Sequence, residues 1–234
     1  MTGDEIMRRL LYRDALMLVI DKPAGLPVHP GPKGGETLHH HLDALRFGLP
    51  RRPEAAHRLD RDTSGCLVLG RHAQALTRLG KLFRENRIEK AYLAVVEGRP
   101  DADEGRIDLA LSPRSPERGW WMKPDPSGLP AATLWRVLGR SSGLSLLELR
   151  PVTGRTHQLR VHCAAMGWPI LGDAVYGTAP RVHGPGLHLH AGRVAVPLHP
   201  RRPPIAVEAP LPDHFRATLE AVGLPAPPGS PASP

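Results

Sequence analysis

The stretch His57-Arg58-Leu59-Asp60-Arg61-Asp62-Thr63-Ser64-Gly65, followed at once by Cys66-Leu67-Val68-Leu69, sets a charged, glycine-ended loop against an apolar run. A short run of that composition reads as a buried strand. The loop before it is placed to hold a reactive side chain at the edge of a sheet. The charges of Arg58, Asp60, Arg61 and Asp62 cannot be buried there without explicit partners. Asp60 follows Leu59, which would anchor the loop inward while the carboxylate faces a cleft. A solvated turn, with Thr63-Ser64-Gly65 supplying the turn chemistry, fits the same residues.

Working outward, Leu16-Met17-Leu18-Val19-Ile20 is a second buried-strand candidate. It ends in the proline- and glycine-punctuated loop Asp21 to Pro30, which cannot continue a strand. Thr37 is placed to cap a helix with Leu38, Leu42 and Leu45 on one face. His39-His40-His41 lie on that helix, where adjacent side chains diverge and cannot converge on one metal ion. A stronger amphipathic helix is predicted from His72 to about Asn86, with Leu76, Leu79 and Phe83 on one face.

Glu89 to Gly98 reads as a strand buried on both faces, with Tyr92 in it. Residues 99–130, rich in Pro, Gly and charge, are expected to include a long surface loop. Trp120 and Trp121, beside Arg118 and Lys123, fit either stacking on nucleic-acid bases or covering the sheet. Ala131–Gly139 and Leu144–Arg150 read as strands joined by a tight turn. A helix is predicted to open in Thr153-Gly154-Arg155-Thr156-His157-Gln158-Leu159-Arg160 and to stop at Gly167. Arg155 would then sit in its first turn, where the helix dipole opposes a cation unless an anion lies nearby. Asp60 is the candidate partner. Short strands are expected at 187–191, 194–198 and 205–207, and a last helix from Pro212. His188 and His190 would share a strand face but lack a third metal ligand, so satisfied polar histidines are expected.

The formal net charge of +8, from 31 Lys+Arg against 23 Asp+Glu in 234 residues, favours a polyanionic partner. Cys66 and Cys163 lie in apolar runs and read as buried thiols, without zinc spacing. No run approaches membrane-spanning length and no signal peptide is evident, so a cytoplasmic protein is expected.

His-Arg-Leu-Asp-x-x-Thr-Ser-Gly at 57–65 resembles the signature of the RluA-type RNA pseudouridine synthases, whose aspartate is catalytic. Three further stretches resemble family motifs in the same order: Lys22-Pro23-Ala24-Gly25, the segment Lys90 to Gly98, and Gly154-Arg155-Thr156-His157-Gln158-Leu159-Arg160-Val161-His162. Gly172-Asp173-Ala174-Val175-Tyr176-Gly177 resembles a fourth, taken as scaffold. The resemblance implies Asp60 as the catalytic residue, Arg155 as its ion-pair partner and Tyr92 against the target base. It further implies Arg58 filling the gap left by an extruded base and Leu159 covering the base's other face. Lys22, supporting the active-site loop, and His57 are counted with the RNA- or base-binding residues.

It also implies an α+β fold, a long mixed, mostly antiparallel sheet flanked by helices with a central basic cleft: the pseudouridine synthase fold. Residues 1–223 are expected to form one catalytic domain of two closely packed halves, with 224–234 a disordered Pro/Gly/Ser tail. Many relatives carry a small RNA-binding domain ahead of the catalytic one. Too few residues precede the first motif here, so RNA affinity is expected from the catalytic domain itself.

The implied activity is isomerisation of uridine to pseudouridine in structured ribosomal or transfer RNA by a monomer. The reaction is redox-neutral, so no cofactor and no metal is required. An arginine beside an aspartate keeps it ionised despite burial. Attack on C1′, attack on C6 and removal of a sugar proton by Asp60 all stay open at this stage. Two other functions are weighed. Asp60-Arg61-Asp62-Thr63 fits the pattern of magnesium-dependent aspartyl phosphatases, but those place the first aspartate after a buried strand, and here the strand follows. A non-catalytic RNA-binding or RNA-folding protein would need the charge alone, not a buried carboxylate.

Overall fold

The computed structural model describes residues 1–31, 34–115 and 121–227. In chain order the elements are α1 (Gly3–Arg8), β1 (Leu10–Arg13), β2 (Met17–Lys22), a 3-10 helix (Leu38–Leu45), β3 (Glu54–Ala55), β4 (Ser64–Gly70) and α2 (Ala73–Arg84). There follow β5 (Glu89–Glu97), β6 (Glu104–Asp108), β7 (Leu111–Pro113), β8 (Met122–Pro124), β9 (Ala132–Ser141) and β10 (Leu144–Pro151). The chain ends with α3 (Gln158–Ala165), β11 (Leu189–Val196), β12 (Ile205–Glu208) and α4 (Asp213–Val222). Contacts divide it into two units, Met1–Lys90 with Ala191–Pro210 and Ala91–His190 with Leu211–Pro234.

In the first unit the strand order is β1-β2-β4-β11, with β12 beside β11 and β3 beside β4. β2 and β4 pair antiparallel from Met17↔Gly70 to Lys22↔Gly65. This register follows from composition, since Met17 to Ile20 and all of β4 are buried and a one-residue slip would turn every side chain to the opposite face. Met17, Val19, Cys66 and Val68 meet Leu79 and Leu82 of α2 in one apolar cluster. His72 caps α2, its Nδ1 accepting from the Ala75 N–H at 3.3 Å. Leu38, Leu42 and Leu45 are all buried, as the spacing predicts, although the segment is a 3-10 helix.

The second unit has the order β5-β10-β9-β6. β10 pairs antiparallel with both β5 and β9. The β9–β10 hairpin turns on Ser142 and Gly143, both at positive φ (50° and 76°), the type I′ geometry that matches strand twist. One face of the sheet packs Ala94, Val96, Trp135, Leu147 and Leu149 against Leu159, Cys163 and Trp168. The other packs Val95 and Leu146 against Phe215 and Leu219 of α4. The mostly antiparallel sheet flanked by helices is therefore as expected.

Four details differ from the sequence-based expectations. Residues 99–130 carry β6, β7 and β8, each of which buries one apolar side chain, Ile107, Leu111 and Met122 in turn. Segments 187–191 and 194–198 merge largely into one strand, β11. Leu224, assigned to the tail, is 6% exposed and packs with Val95 and Phe215, since Gly223 in the left-handed region turns the chain back after α4. Trp120, Arg118 and 228–234 lie outside the described residues. The fourth, the start of α3, bears on the site.

Candidate active site

In the first unit the loop ahead of β4 is held from below by Lys22. This side chain is 0% exposed, and its ammonium donates to the carbonyls of Pro23 (2.7 Å), Leu26 (2.8 Å) and Arg61 (2.9 Å). Three N–H groups meet three carbonyls, so the cation's hydrogen bonds close on the backbone. Burial pushes the Lys22 pKa down to about 8, against the attraction of Asp62, Asp60 and Asp21. Lys22 thus holds the backbone of the loop from inside the unit.

Asp60 is half-buried on that loop, and its carbonyl accepts from the Thr63 N–H at 3.2 Å, closing a turn. Leu59 is buried and anchors the turn, while Arg61 pairs with Asp62 at the surface (2.9 Å). Gly65, at φ 105°, lets the chain enter β4 against Ala191, whose carbonyl oxygen would lie 2.3 Å from a Cβ. Arg58 is exposed, and among the described residues no carboxylate pairs with it.

His57 is likewise engaged within the first unit. Its Nε2 accepts from the Val68 N–H at 3.0 Å and its ring stacks on Phe83 at 4.4 Å. Burial, then the nearby Lys90, pushes its pKa down to about 3. It is a neutral acceptor tying the loop to β4.

The second unit holds Tyr92, Arg155 and Leu159. Tyr92 on β5 and Leu159 on α3 (6% exposed) belong to the same apolar cluster. Arg155 precedes α3 instead of lying in its first turn, because His157 adopts a left-handed conformation (φ 53°) and the helix starts at Gln158. The dipole reasoning for an anion partner therefore no longer applies. Gln158 organises this loop. Its Oε1 accepts from the Arg155 N–H (3.0 Å) and the Thr153 hydroxyl (2.7 Å), and its Nε2 donates to Ala132 O (2.9 Å) and Thr133 Oγ1 (3.0 Å). Arg155 itself is exposed, with Nε donating to Pro130 O at 3.1 Å.

The arginine that is buried with a carboxylate is Arg160, unremarked at the sequence level. Its Nε and Nη2 each lie 2.8 Å from an Asp173 oxygen, and its guanidinium lies 5.1 Å from the Tyr176 ring centre. Burial works against the Asp173 carboxylate, but Arg160 and the Val175 and Tyr176 N–H groups prevail and hold its pKa below the usual range. Tyr176 in turn accepts from the Met122 N–H (2.9 Å) and meets His157 Nδ1 (2.8 Å). Asp173 in the glycine-flanked loop was the available signal, read there as scaffold without a partner.

Asp60 thus stands at a pinned turn of the first unit, and Tyr92, Arg155 and Leu159 belong to the second. Residues 16–165 match the family model described as RNA pseudouridylate synthase. An uncharacterized RNA pseudouridine synthase of Zymomonas mobilis is 44% identical over 212 residues, covering 90% of this chain and 96% of that one. Ribosomal large subunit pseudouridine synthase D of Nitrosomonas europaea is 36% identical over 234 residues, covering 94% and 67%. The solved structure of human RNA pseudouridylate synthase domain containing 4 superposes with a TM-score of 0.81 at 27% identity, covering 96% and 97%. The chain belongs to the RNA pseudouridine synthase family, of the RluA type, and is an enzyme that isomerises uridine in structured RNA.

Proposed function

We propose that the chain modifies uridines in ribosomal or transfer RNA, with Asp60 as its catalytic group. The observation that carries the assignment is the grip of the buried Lys22 ammonium on Arg61 O, which fixes the residue next to Asp60 and lends the carboxylate a nearby positive charge. The name of the Nitrosomonas relative, a large-subunit enzyme, supports ribosomal RNA as the first substrate to test.

In the reaction the N1–C1′ bond breaks, the uracil turns, and C5 bonds to C1′. The C5 proton leaves to solvent and N1 takes one up, so electrons balance without an oxidant. Asp60 supplies the negative charge that meets the electron-poor centre as the glycosidic bond breaks. The family resemblance gives Arg155 the part of ion-pair partner to Asp60. Tyr92 lies along the uracil, Leu159 covers its other face, and Arg58 occupies the gap left when the base leaves its stack, a step costing a few kcal/mol. The exposure of Arg58 and the ordering of the Arg155 loop by Gln158 support these roles.

Purified protein incubated with C5-tritiated transcripts of large-subunit ribosomal RNA and of transfer RNAs is expected to release tritium from one of the two. Release from neither would overturn the substrate assignment. Mapping pseudouridines in RNA from a strain lacking the gene identifies the position.

A further inference from the structure

A row of hydrogen bonds runs through the interior of the second unit, from the β6–β7 connection to the loop that bears Arg155. Thr133 on β9, His162 on α3 and Gln158 at the start of α3 are all buried. His162 Nε2 lies 3.0 Å from Leu109 O, and its Nδ1 lies 2.9 Å from Thr133 Oγ1. Thr133 Oγ1 accepts from Gln158 Nε2 at 3.0 Å, and Gln158 Oε1 accepts from the Arg155 N–H at 3.0 Å.

Each proton in this row has one place. A carbonyl only accepts, so Leu109 O fixes the hydrogen on His162 Nε2 and leaves Nδ1 a lone pair. Burial lowers the His162 pKa and keeps the ring neutral, against the pull of Leu109 O and Asp108. Thr133 then gives its hydroxyl proton to Nδ1 and receives one from Gln158. Ala132 O, 2.9 Å from Gln158 Nε2, sets the same orientation of the amide. The amide oxygen is thereby turned toward the Arg155 N–H and the Thr153 hydroxyl. Thr153 Oγ1 also accepts from the Ala132 N–H at 3.0 Å, so the loop and the start of β9 close on one another.

We infer that Thr133 and His162 are positioning residues for the uridine isomerisation: through Gln158 they hold the backbone of Arg155 in its working place. Both are fully buried and act on the loop only through the amide between them and Arg155. Valine and phenylalanine would fill the same space with no polar group to desolvate. A fully satisfied polar row specifies one arrangement where apolar packing does not. A displacement of about 1 Å at a reacting group can cost about hundredfold in rate. The inference rests on the reading of Arg155 as a working residue of the synthase.

The test uses the full chain and single-turnover tritium release from C5-labelled transcripts. Thr133→Val keeps the shape and removes both hydrogen bonds of the hydroxyl. It should slow release about tenfold or more, with KM within about twofold of the parent, and Thr133→Ser should restore the rate. A lowered unfolding midpoint with a parental rate, or a rise in KM in place of the rate loss, would overturn the inference. His162→Phe keeps a ring but offers the Thr133 hydroxyl no acceptor, and should slow release in the same way. Parental release there would overturn the inference even if Thr133→Val fails to fold. Amide exchange at Arg155, read by magnetic resonance on protein labelled with heavy nitrogen at arginine, should quicken in either variant. Unchanged exchange would overturn the inference whichever RNA is the substrate. Arg155→Ala releasing tritium at the parental rate would instead remove the reading of Arg155 on which the inference rests, so the two fail separately.

Discussion

Lys22→Met removes the ammonium that holds the Asp60 loop while keeping a side chain of similar length. Three carbonyls, those of Pro23, Leu26 and Arg61, lose their donor in a buried place. At about 1–3 kcal/mol for each orphaned group the cost is roughly 3–9 kcal/mol. Against this stands relief of the cation's burial. A pKa of about 8 in place of about 10.4 corresponds to roughly 3 kcal/mol against the ammonium. The balance is a destabilisation of about 3 kcal/mol, measurable by urea unfolding, with tritium release lost as the loop loosens.

The pH dependence separates this account from a merely space-filling lysine. Above about pH 8 the neutral amine has two N–H groups for three carbonyls, so turnover should fall as pH rises through that value. The unfolded chain keeps the proton up to about pH 10.4 and binds more protons than the native state between the two values. The contribution of this group to global stability therefore rises with pH over the same window. Activity and stability should diverge above pH 8 in the parent, and the rise in stability over that window should be absent from Lys22→Met. A variant within about 0.5 kcal/mol of the parent that still releases tritium would refute the reasoning.

Breaking the buried Arg160–Asp173 pair by Asp173→Ala should cost about 3–5 kcal/mol, and a double replacement by apolar residues less, as a double-mutant cycle of unfolding energies would read. Because Asp173 is held below the usual carboxylate range, its contribution is present above about pH 3.9 and is lost as pH falls through its native pKa. Gly65→Ala should prevent accumulation of folded protein, since its Cβ would meet Ala191 O at 2.3 Å from a positive-φ backbone; soluble, native-like expression would contradict this. His57 takes a proton in the unfolded chain near pH 6.5 but in the native state only near pH 3, so stability should drop as pH is lowered across that interval. His57→Phe should flatten that acid limb while costing about 1–3 kcal/mol at neutral pH, because the Val68 N–H loses its acceptor.

Strands β2 and β4 were legible because their apolar residues run unbroken between charges, and α2 because Leu79 and its neighbours recur at helical spacing. The helix at 153–166 was legible in kind but not in start. A histidine in the left-handed region is set by the contact of its ring with Tyr176, which lies 19 residues away. The strands within 99–130 were hidden because each is only three to five residues long and interrupted by proline, glycine and charge. Position in a motif marked Lys22 and His57 as important without saying what they touch. A buried ammonium facing carbonyls and a neutral imidazole accepting from a strand are products of tertiary placement. Arg160 lay one helical step from Leu159, and only the fold brings Asp173 to it.

Whether the Asp60 carboxylate does the chemistry is read from single-turnover tritium release from C5-labelled ribosomal RNA by Asp60→Asn. Asparagine keeps the size and the turn but cannot carry the charge. The expected variant is folded, binds the RNA and releases no tritium above background. Release at the parental rate would contradict that role for Asp60.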